Sequence, residues 1–178
     1  MKATRIFVSL LALSLICAGA VIAQVSPATT ESATVGGETI SIKYGAPSVR
    51  GRKIFGDGGK LSDDPTYPAW RAGADNATAL HTDADLTIGS LSVPKGDYTI
   101  YIWVKDPNAW ELIVNKQTGQ WGTVYDASKD LGRAKMTMSV PPAPVERLKY
   151  TFSGLGTAAG KLEVSWEKHT ATIPVTVK

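Results

Sequence analysis

The stretch Tyr98-Thr99-Ile100-Tyr101-Ile102-Trp103-Val104 carries the strongest strand signal in a chain of 178 residues. Branched aliphatic side chains at positions 100, 102 and 104 alternate with the aromatic side chains of Tyr101 and Trp103. This two-residue period is typical of a β-strand, whose successive side chains point to opposite faces of a sheet. Because both sets are apolar, the stretch predicts a central strand that is covered on both faces.

Shorter segments with the same period lie on both sides of this strand. Gly, Pro, Asn and Asp separate them at intervals of about ten residues, and helical periodicity never extends beyond about two turns. The pattern predicts an all-β fold, namely a single antiparallel β-sandwich, jelly-roll-like, with about eight to ten strands. The segments cover residues 38–44, 78–82, 86–88, 91–93, 110–115, 134–140, 148–152, 162–166 and 173–177.

Two local signals predict how some of these strands pair. Gly89 and Ser90 separate two short strands and predict a two-residue hairpin with glycine first. Pro174 has no backbone N–H to donate to a neighbouring strand. The last strand is therefore predicted at a sheet edge, or with pairing on one side only.

The N-terminus has the three parts of a secretory signal peptide. Lys2 and Arg5 form a basic head, residues 6–17 are apolar, and small residues precede position 23. A membrane anchor is the alternative, but the apolar run is shorter than the roughly 18 to 20 residues that a span needs. We therefore expect a periplasmic or secreted protein with no stable membrane insertion after cleavage of the signal.

These observations predict three regions along the chain. Residues 1–23 are the signal peptide, and residues 24–37, of which 24–33 are rich in Ser, Thr, Ala and Pro, form a flexible leader. Residues 38–178 form the β-sandwich domain. The single cysteine, Cys17, lies in the predicted signal. The mature chain is therefore expected to have no disulfide, no thiol nucleophile and no cysteine metal site.

Net charge argues against nucleic acid as a partner. The whole chain has a formal charge of +3, with 19 basic and 16 acidic residues, and two of the basic residues belong to residues 1–23. A nearly neutral mature chain lacks the broad positive field that attracts nucleic acid or an anionic membrane. The expected partner is a small molecule or a glycan.

The stretch Trp70-Arg71-Ala72-Gly73-Ala74-Asp75-Asn76-Ala77-Thr78 is the main candidate site. It places an aromatic, a cation, an acid and an amide between small residues. The small-residue turn is predicted to bring the guanidinium of Arg71 to the carboxylate of Asp75, with Asn76 bonding nearby backbone groups. Such a cluster either binds the polar groups of a ligand or holds the entry of a strand in place.

A second candidate segment lies just before it in the chain. Residues 48–56 carry Arg50, Arg52 and a lysine beside two glycines, and form either a solvated basic turn or an anion-binding patch. Because both candidate segments flank the one irregular loop, residues 57–68, they are predicted to meet in the fold. The predicted binding residues are Arg50, Arg52, Trp70, Arg71, Asp75 and Asn76; none is assigned to catalysis, to a metal or to a cofactor.

Other chemistry receives weaker support. His81 and His169 are the only histidines, so a metal site with two histidines and one carboxylate would need them to converge from distant strands. No Gly-x-Ser-x-Gly motif of a serine hydrolase is present. Among the five tryptophans, Trp70 and Trp121 border glycines or loops and are candidates for exposed, sugar-stacking positions. The other three are predicted to pack in the core.

Several motifs, read together, resemble a known family. They are Tyr44-Gly45-x-Pro47-Ser48, Arg50-Gly51-Arg52-Lys53-Ile54-Phe55, Trp70-Arg71-x-Gly73-Ala74, Leu86-Thr87-Ile88-Gly89 and Val93-Pro94-x-Gly96-x-Tyr98. From about residue 40 to the C-terminus the chain resembles the bacterial exported family of unknown function numbered 2911. The resemblance implies no established activity.

Two classes of function follow from the residues. The first is a non-catalytic exported binding or interaction module with a polar Arg/Trp/Asn pocket at one end of the sandwich. The second is a carboxylate-based, hydrolase-like enzyme that acts on an extracytoplasmic substrate. In the second class Asp75 would form an acid and base pair with either Asp64 or Asp85.

Overall fold

A computed structural model describes residues 26–178. The predicted signal peptide and the first two residues of the predicted leader lie outside the described residues. Thirteen strands follow one another in the described part: β1 Ala28–Val35, β2 Glu38–Gly45, β3 Ala69–Trp70, β4 Ala74–Thr82, β5 Leu86–Ile88, β6 Leu91–Val93, β7 Gly96–Trp103, β8 Glu111–Asn115, β9 Asp130–Lys135, β10 Thr137–Ser139, β11 Val145–Ser153, β12 Ala159–Glu167 and β13 His169–Val177.

The strands form two sheets in which every pair of neighbours is antiparallel. The first sheet has the order β1-β2-β4-β7-β8-β9, with β3 paired to β7. The second has the order β11-β12-β13-β5-β6, with β10 paired to β13. This confirms the predicted all-β, sandwich-like fold, with somewhat more strands than the sequence predicts. The helical elements among residues 26–178 are the short 3-10 turns Lys60–Asp63 and Ala127–Lys129, and neither is long and apolar enough to cross a membrane.

Strand β7 has the central place that its sequence predicts. It lies between β4 and β8 in the first sheet. Ile100 and Ile102 are fully buried in the main core, while Tyr101 is equally buried on the opposite face in a smaller cluster with Ala69 and Ile113. Burying each of these isoleucines contributes about 2 to 3 kcal/mol. Strand β7 is therefore covered on both faces along most of its length.

The flexible leader predicted for residues 24–37 needs correction, because most of these residues form strand β1. Ala28–Val35 pairs with β2 along its whole length, from Ala28 opposite Gly45 to Val35 opposite Glu38. Gly36 and Gly37 form the turn between the two strands with φ angles of 64° and 86°, which glycine adopts without strain. Since β1 is an edge strand and buries few apolar side chains, its sequence lacks a strong apolar period.

The predicted strand over residues 134–140 is divided between the two sheets. Residues up to Lys135 pair with β8 in the first sheet, and Thr137–Ser139 pairs with β13 in the second. Met136 is the buried point of crossing, and its N–H donates to the carbonyl oxygen of Trp110 at 2.9 Å. Because the chain changes sheets there, residues 134–140 do not form one continuous strand, and Val140, just beyond β10, is 79% exposed.

Strand β13 lies inside its sheet rather than at the edge that Pro174 predicts. Its pairing with β10 ends at Thr172, and its pairing with β5 begins at Val175. The carbonyl oxygen of Pro174 accepts from the N–H of Gly89 at 2.8 Å. Pro174 thus lies opposite the gap between the short strands β10 and β5. A backbone N–H would find no regular partner there, so a proline is tolerated. The predicted hairpin at Gly89 and Ser90 is confirmed by the pairing of β5 with β6.

If β1 is part of the core, truncating its buried end destabilises the domain. Val35 is 1% exposed, so Val35→Ala is expected to lower the free energy of unfolding by about 2 kcal/mol. The matched control Val140→Ala removes the same atoms from a side chain that is 79% exposed, and should change it by less than about 0.5 kcal/mol. Urea unfolding followed by fluorescence measures both. Equal changes in the free energy of unfolding for the two variants would contradict the packing of β1 in the core and favour a flexible leader.

Candidate functional site

The two candidate segments meet in the structure, as predicted. The rings of Phe55 and Trp70 lie edge to face, with centroids 5.7 Å apart. Next to them is a cleft of about 370 Å³, here called the polar cleft. Both segments, the loop between them and β12 contribute to its lining, which includes Arg50, Arg52, Lys60, Asp63, Asp64, Trp70, Arg71, Asp75 and Trp166.

A tight turn places Arg50 and Arg52 at this cleft. Arg50 has a φ of 50°, and its N–H donates to Oε1 of Glu146 at 2.9 Å. The guanidinium of Arg52 donates to the carbonyl oxygens of Val49 at 3.0 Å and Ser48 at 2.7 Å. Arg52 therefore stabilises its own turn. Because these acceptors are neutral carbonyl groups, the two hydrogen bonds do not neutralise the positive charge of the guanidinium.

Arg71 binds Asp64 rather than the Asp75 that its spacing predicts. Nη2 of Arg71 and Oδ2 of Asp64 form a short ion pair, and the two side chains are only 16% and 8% exposed. Thr66 donates to Oδ1 of the same carboxylate through its N–H at 3.0 Å and its hydroxyl at 2.8 Å. Asp75 is held differently, with a φ of 64° and its carbonyl oxygen bound to the N–H of Gly122 at 2.9 Å.

The ion pair keeps Asp64 charged. Desolvation alone would raise the pKa of this carboxyl group, but the hydrogen bonds from Arg71 and Thr66 together outweigh it. Its pKa consequently lies below the ordinary value of 3.8. A carboxylate of this kind is ionised at neutral pH and is unsuited to act as a general acid.

Trp70 belongs to the floor of the cleft and not to an exposed surface, which corrects the predicted exposure. It is 1% exposed and stacks on Trp166 with ring centroids 5.6 Å apart and an interplanar angle of 18°. The indole Nε1 atoms of both residues are buried and have no hydrogen-bond acceptor among the described residues. Trp166, predicted to be core alone, was missed as a lining residue because its contact with the cleft depends on how the sheets pack.

Asn76 lies in a second, neighbouring cleft and not in the polar cleft. This second cleft, here called the Trp121 cleft, has a volume of about 780 Å³. Asn76 and Trp121 face each other in an isolated β-bridge, and Asp75 lines both clefts. Trp121 is 52% exposed, which confirms its predicted exposure. The six predicted site residues are therefore distributed over two adjoining clefts.

The two histidines lie in different sheets. His81 in β4 contacts Asp97 at 2.8 Å and Asp83 at 3.1 Å, and these hydrogen bonds raise its pKa. His169 in β13 stacks on Trp110, and burial lowers its pKa. Among residues 26–178 no group of three or more metal-ligating side chains comes together.

The carboxylates proposed for the enzyme reading are also separated. Asp75 lies near the start of β4, and Asp85 lies beyond its end. With a rise of about 3.3 Å per residue, this strand of nine residues spans roughly 26 Å, which is too far for two groups to act on one bond. Asp64 lines the polar cleft together with Asp75, but it is paired with Arg71.

Comparison with known proteins gives one match. A family model described as "Protein of unknown function (DUF2911)" matches residues 26–175, which confirms the resemblance that the sequence motifs indicate. No curated protein and no solved structure matches the chain.

The Arg71 and Asp64 pair predicts a pH-dependent contribution to stability. Because the folded pKa of Asp64 is lowered, this contribution is complete above the unfolded pKa and is lost as the pH falls through the folded value, below 3.8. Asp64→Asn is expected to lower the free energy of unfolding by about 2 to 4 kcal/mol at pH 7. Its difference from the parent protein should shrink as the pH falls from about 5 to 3.

Urea unfolding across this pH range measures the effect. The matched control is Asp63→Asn, since Asp63 is the exposed neighbour in the chain. Arg71→Met combined with Asp64→Asn should cost less than the sum of the single changes, because the two residues are coupled. A loss for Asp64→Asn that equals the control, or that stays constant with pH, would contradict the ion pair.

Proposed function

We propose a function from the geometry of the site, because the chain belongs to the DUF2911 family, whose description assigns no activity. The domain is a non-catalytic binding module that takes a small anionic molecule in the polar cleft. The predicted signal peptide supports an extracytoplasmic place of action, in the periplasm or after secretion.

One observation carries this proposal: two indoles whose buried N–H groups have no acceptor among residues 26–178 line a cleft that also has cationic side chains in its lining. Trp70 and Trp166 are 1% and 4% exposed. A buried donor without a partner costs about 1 to 3 kcal/mol. A ligand that offers oxygen acceptors in this cleft would offset that cost.

The ring of Phe55 is a neighbour that both indoles share. It packs edge to face with them, at interplanar angles of 85° and 82°. An aromatic ring is at most a weak hydrogen-bond acceptor. A carboxylate or phosphate oxygen is a much stronger acceptor, because charge-assisted hydrogen bonds are roughly twice as strong as neutral ones.

The charges around the polar cleft favour an anion over a neutral molecule. Arg71 and Asp64 neutralise each other inside the wall. The remaining charged side chains of the lining are three cations and two carboxylates: Arg50, Arg52, Lys60, Asp63 and Asp75. Among the lining residues the cations outnumber the carboxylates by one, next to indole donors without an acceptor.

The alternative function, a carboxylate-based hydrolase, has less support from the same geometry. General acid catalysis needs a carboxyl group whose pKa is raised towards neutrality. The pKa of Asp64 moves in the opposite direction, and Asp85 is at the far end of β4. A binding role requires neither group to transfer a proton.

Titration with citrate and with glucose, monitored by ¹H–¹⁵N spectra of the tryptophan indoles, tests the proposal. Citrate is expected to shift the Trp70 and Trp166 indole resonances, whereas glucose, a neutral molecule of similar size, should not. Lys60→Met should weaken citrate binding about tenfold, the equivalent of 1.4 kcal/mol. Lys161→Met is the matched control, because Lys161 is exposed on β12 and does not line the cleft.

The controls make the result decisive. Both lysines are exposed, so both variants are expected to keep the parental unfolding temperature. Equal citrate affinity in the two variants, or glucose shifts as large as those of citrate at the same two resonances, would overturn the assignment of an anionic ligand.

A further inference from the structure

The Trp121 cleft has a lining of a different character from that of the polar cleft. Its floor is formed by small residues on the outer face of the first sheet, where Lys43 and Ala79 are paired neighbours in β2 and β4 and both are exposed. Ala74 and Ala77 continue the floor, and Trp121 and Gln120 line one side. The small side chains of the alanines leave an open volume of about 780 Å³ next to the indole, which larger side chains would fill.

The backbone that carries Trp121 is tied to the sheet on both sides of the residue. The N–H of Ala77 donates to the carbonyl oxygen of Gln120 at 3.1 Å, and the N–H of Gly122 donates to that of Asp75 at 2.9 Å. Tyr101 adds a hydrogen bond from its hydroxyl to the carbonyl oxygen of Val124 at 2.8 Å. A large aromatic side chain held at 52% exposure by this backbone loses little conformational entropy when it binds.

The side chain of Gln120 strengthens this attachment. Its Nε2 lies 3.3 Å from the hydroxyl oxygens of both Thr99 and Tyr101 on β7. Gln120 therefore holds the loop to the sheet, while its neighbour Trp121 is left to face the solvent. The exposure of Trp121 is a consequence of how the loop is attached and not of a loose segment.

Polar side chains also line this cleft. Asn76 offers both a donor and an acceptor, Asp75 offers acceptors, and Lys43 offers donors. A sugar ring presents a flat C–H face that packs on an indole and, around its edge, hydroxyl groups that both donate and accept. The lining offers partners for the face and for the edge of such a ring.

We propose that the Trp121 cleft is a saccharide-binding site. The indole of Trp121 stacks on the C–H face of a pyranose ring, and Asp75, Asn76 and Lys43 bond its hydroxyl groups. The site is separate from the polar cleft and does not depend on the function proposed for that cleft. The two share only the border residues Ser26, Ala74 and Asp75.

Titration of the full domain with cellotetraose, chitotetraose and maltotetraose, each to about 10 mM, tests this inference. At least one of the three is expected to shift the Trp121 indole resonance in ¹H–¹⁵N spectra. Trp121→Ala should reduce the affinity measured by calorimetry at least tenfold, and Trp121→Phe should reduce it less, because a phenyl ring still stacks. Val124→Ala, which truncates another exposed apolar side chain of the same loop, should leave it unchanged.

Two results would overturn the site. The first is the absence of any shift at Trp121 with all three saccharides. The second is an affinity that Trp121→Ala leaves unchanged. Since Trp121 is half exposed, the variant is expected to fold, and an unchanged unfolding temperature verifies this. Lys60→Met should not alter saccharide binding, and Trp121→Ala should not alter citrate binding, so each proposal stands or fails by itself.

Discussion

The contact of Phe55 with three tryptophans is the interaction on which the site depends. Phe55 lies in the segment of residues 48–56, and its ring packs against Trp70 in β3, Trp110 just before β8 and Trp166 in β12, with centroids 4.8 to 5.9 Å apart. Such aromatic pairs contribute about 0.5 to 1.5 kcal/mol each beyond the area that they bury. One side chain therefore connects its segment to both sheets, and two of these rings, Trp70 and Trp166, line the polar cleft.

Arg71 connects the polar cleft to the Trp121 cleft. Its guanidinium pairs with Asp64 in the loop that closes the first, and its stem packs under Gly122, in the loop that carries Trp121. A side chain at Gly122 would place its Cβ only 2.3 Å from Cδ of Arg71. The glycine is thus required by close packing, and one partly buried arginine contacts both loops.

The sequence predicts the fold through its two-residue period, because a strand of a sandwich must place apolar side chains on the face that is buried. It also predicts the meeting of residues 50–55 with residues 70–78. The sequence does not predict strand β1, because an edge strand buries few apolar side chains. It also does not predict the partner of Arg71, because both Asp64 and Asp75 lie within reach along the chain and only the path of the loop decides between them. The pairing of Trp166 with Trp70 depends on sheet packing, which no local pattern encodes.

Backbone strain in the described part of the chain gathers around the polar cleft. Residues 26–178 contain four non-glycine residues with positive φ: Arg50, Ala72, Asp75 and Glu167. Arg50 and Asp75 line the cleft, and Ala72 and Glu167 directly follow the lining residues Arg71 and Trp166. Each such conformation costs on the order of 1 kcal/mol and persists only where the surrounding structure enforces it.

That cost falls on the segments that place Arg50, Arg71, Asp75 and Trp166 at one cleft, and it includes Asp75 near the start of β4 and Glu167 at the end of β12. Glycine would adopt a positive φ at these positions without strain. The side chains at Arg50 and Asp75 therefore carry a conformational cost that the hydrogen bonds of their backbones, to Glu146 and Gly122, help to offset.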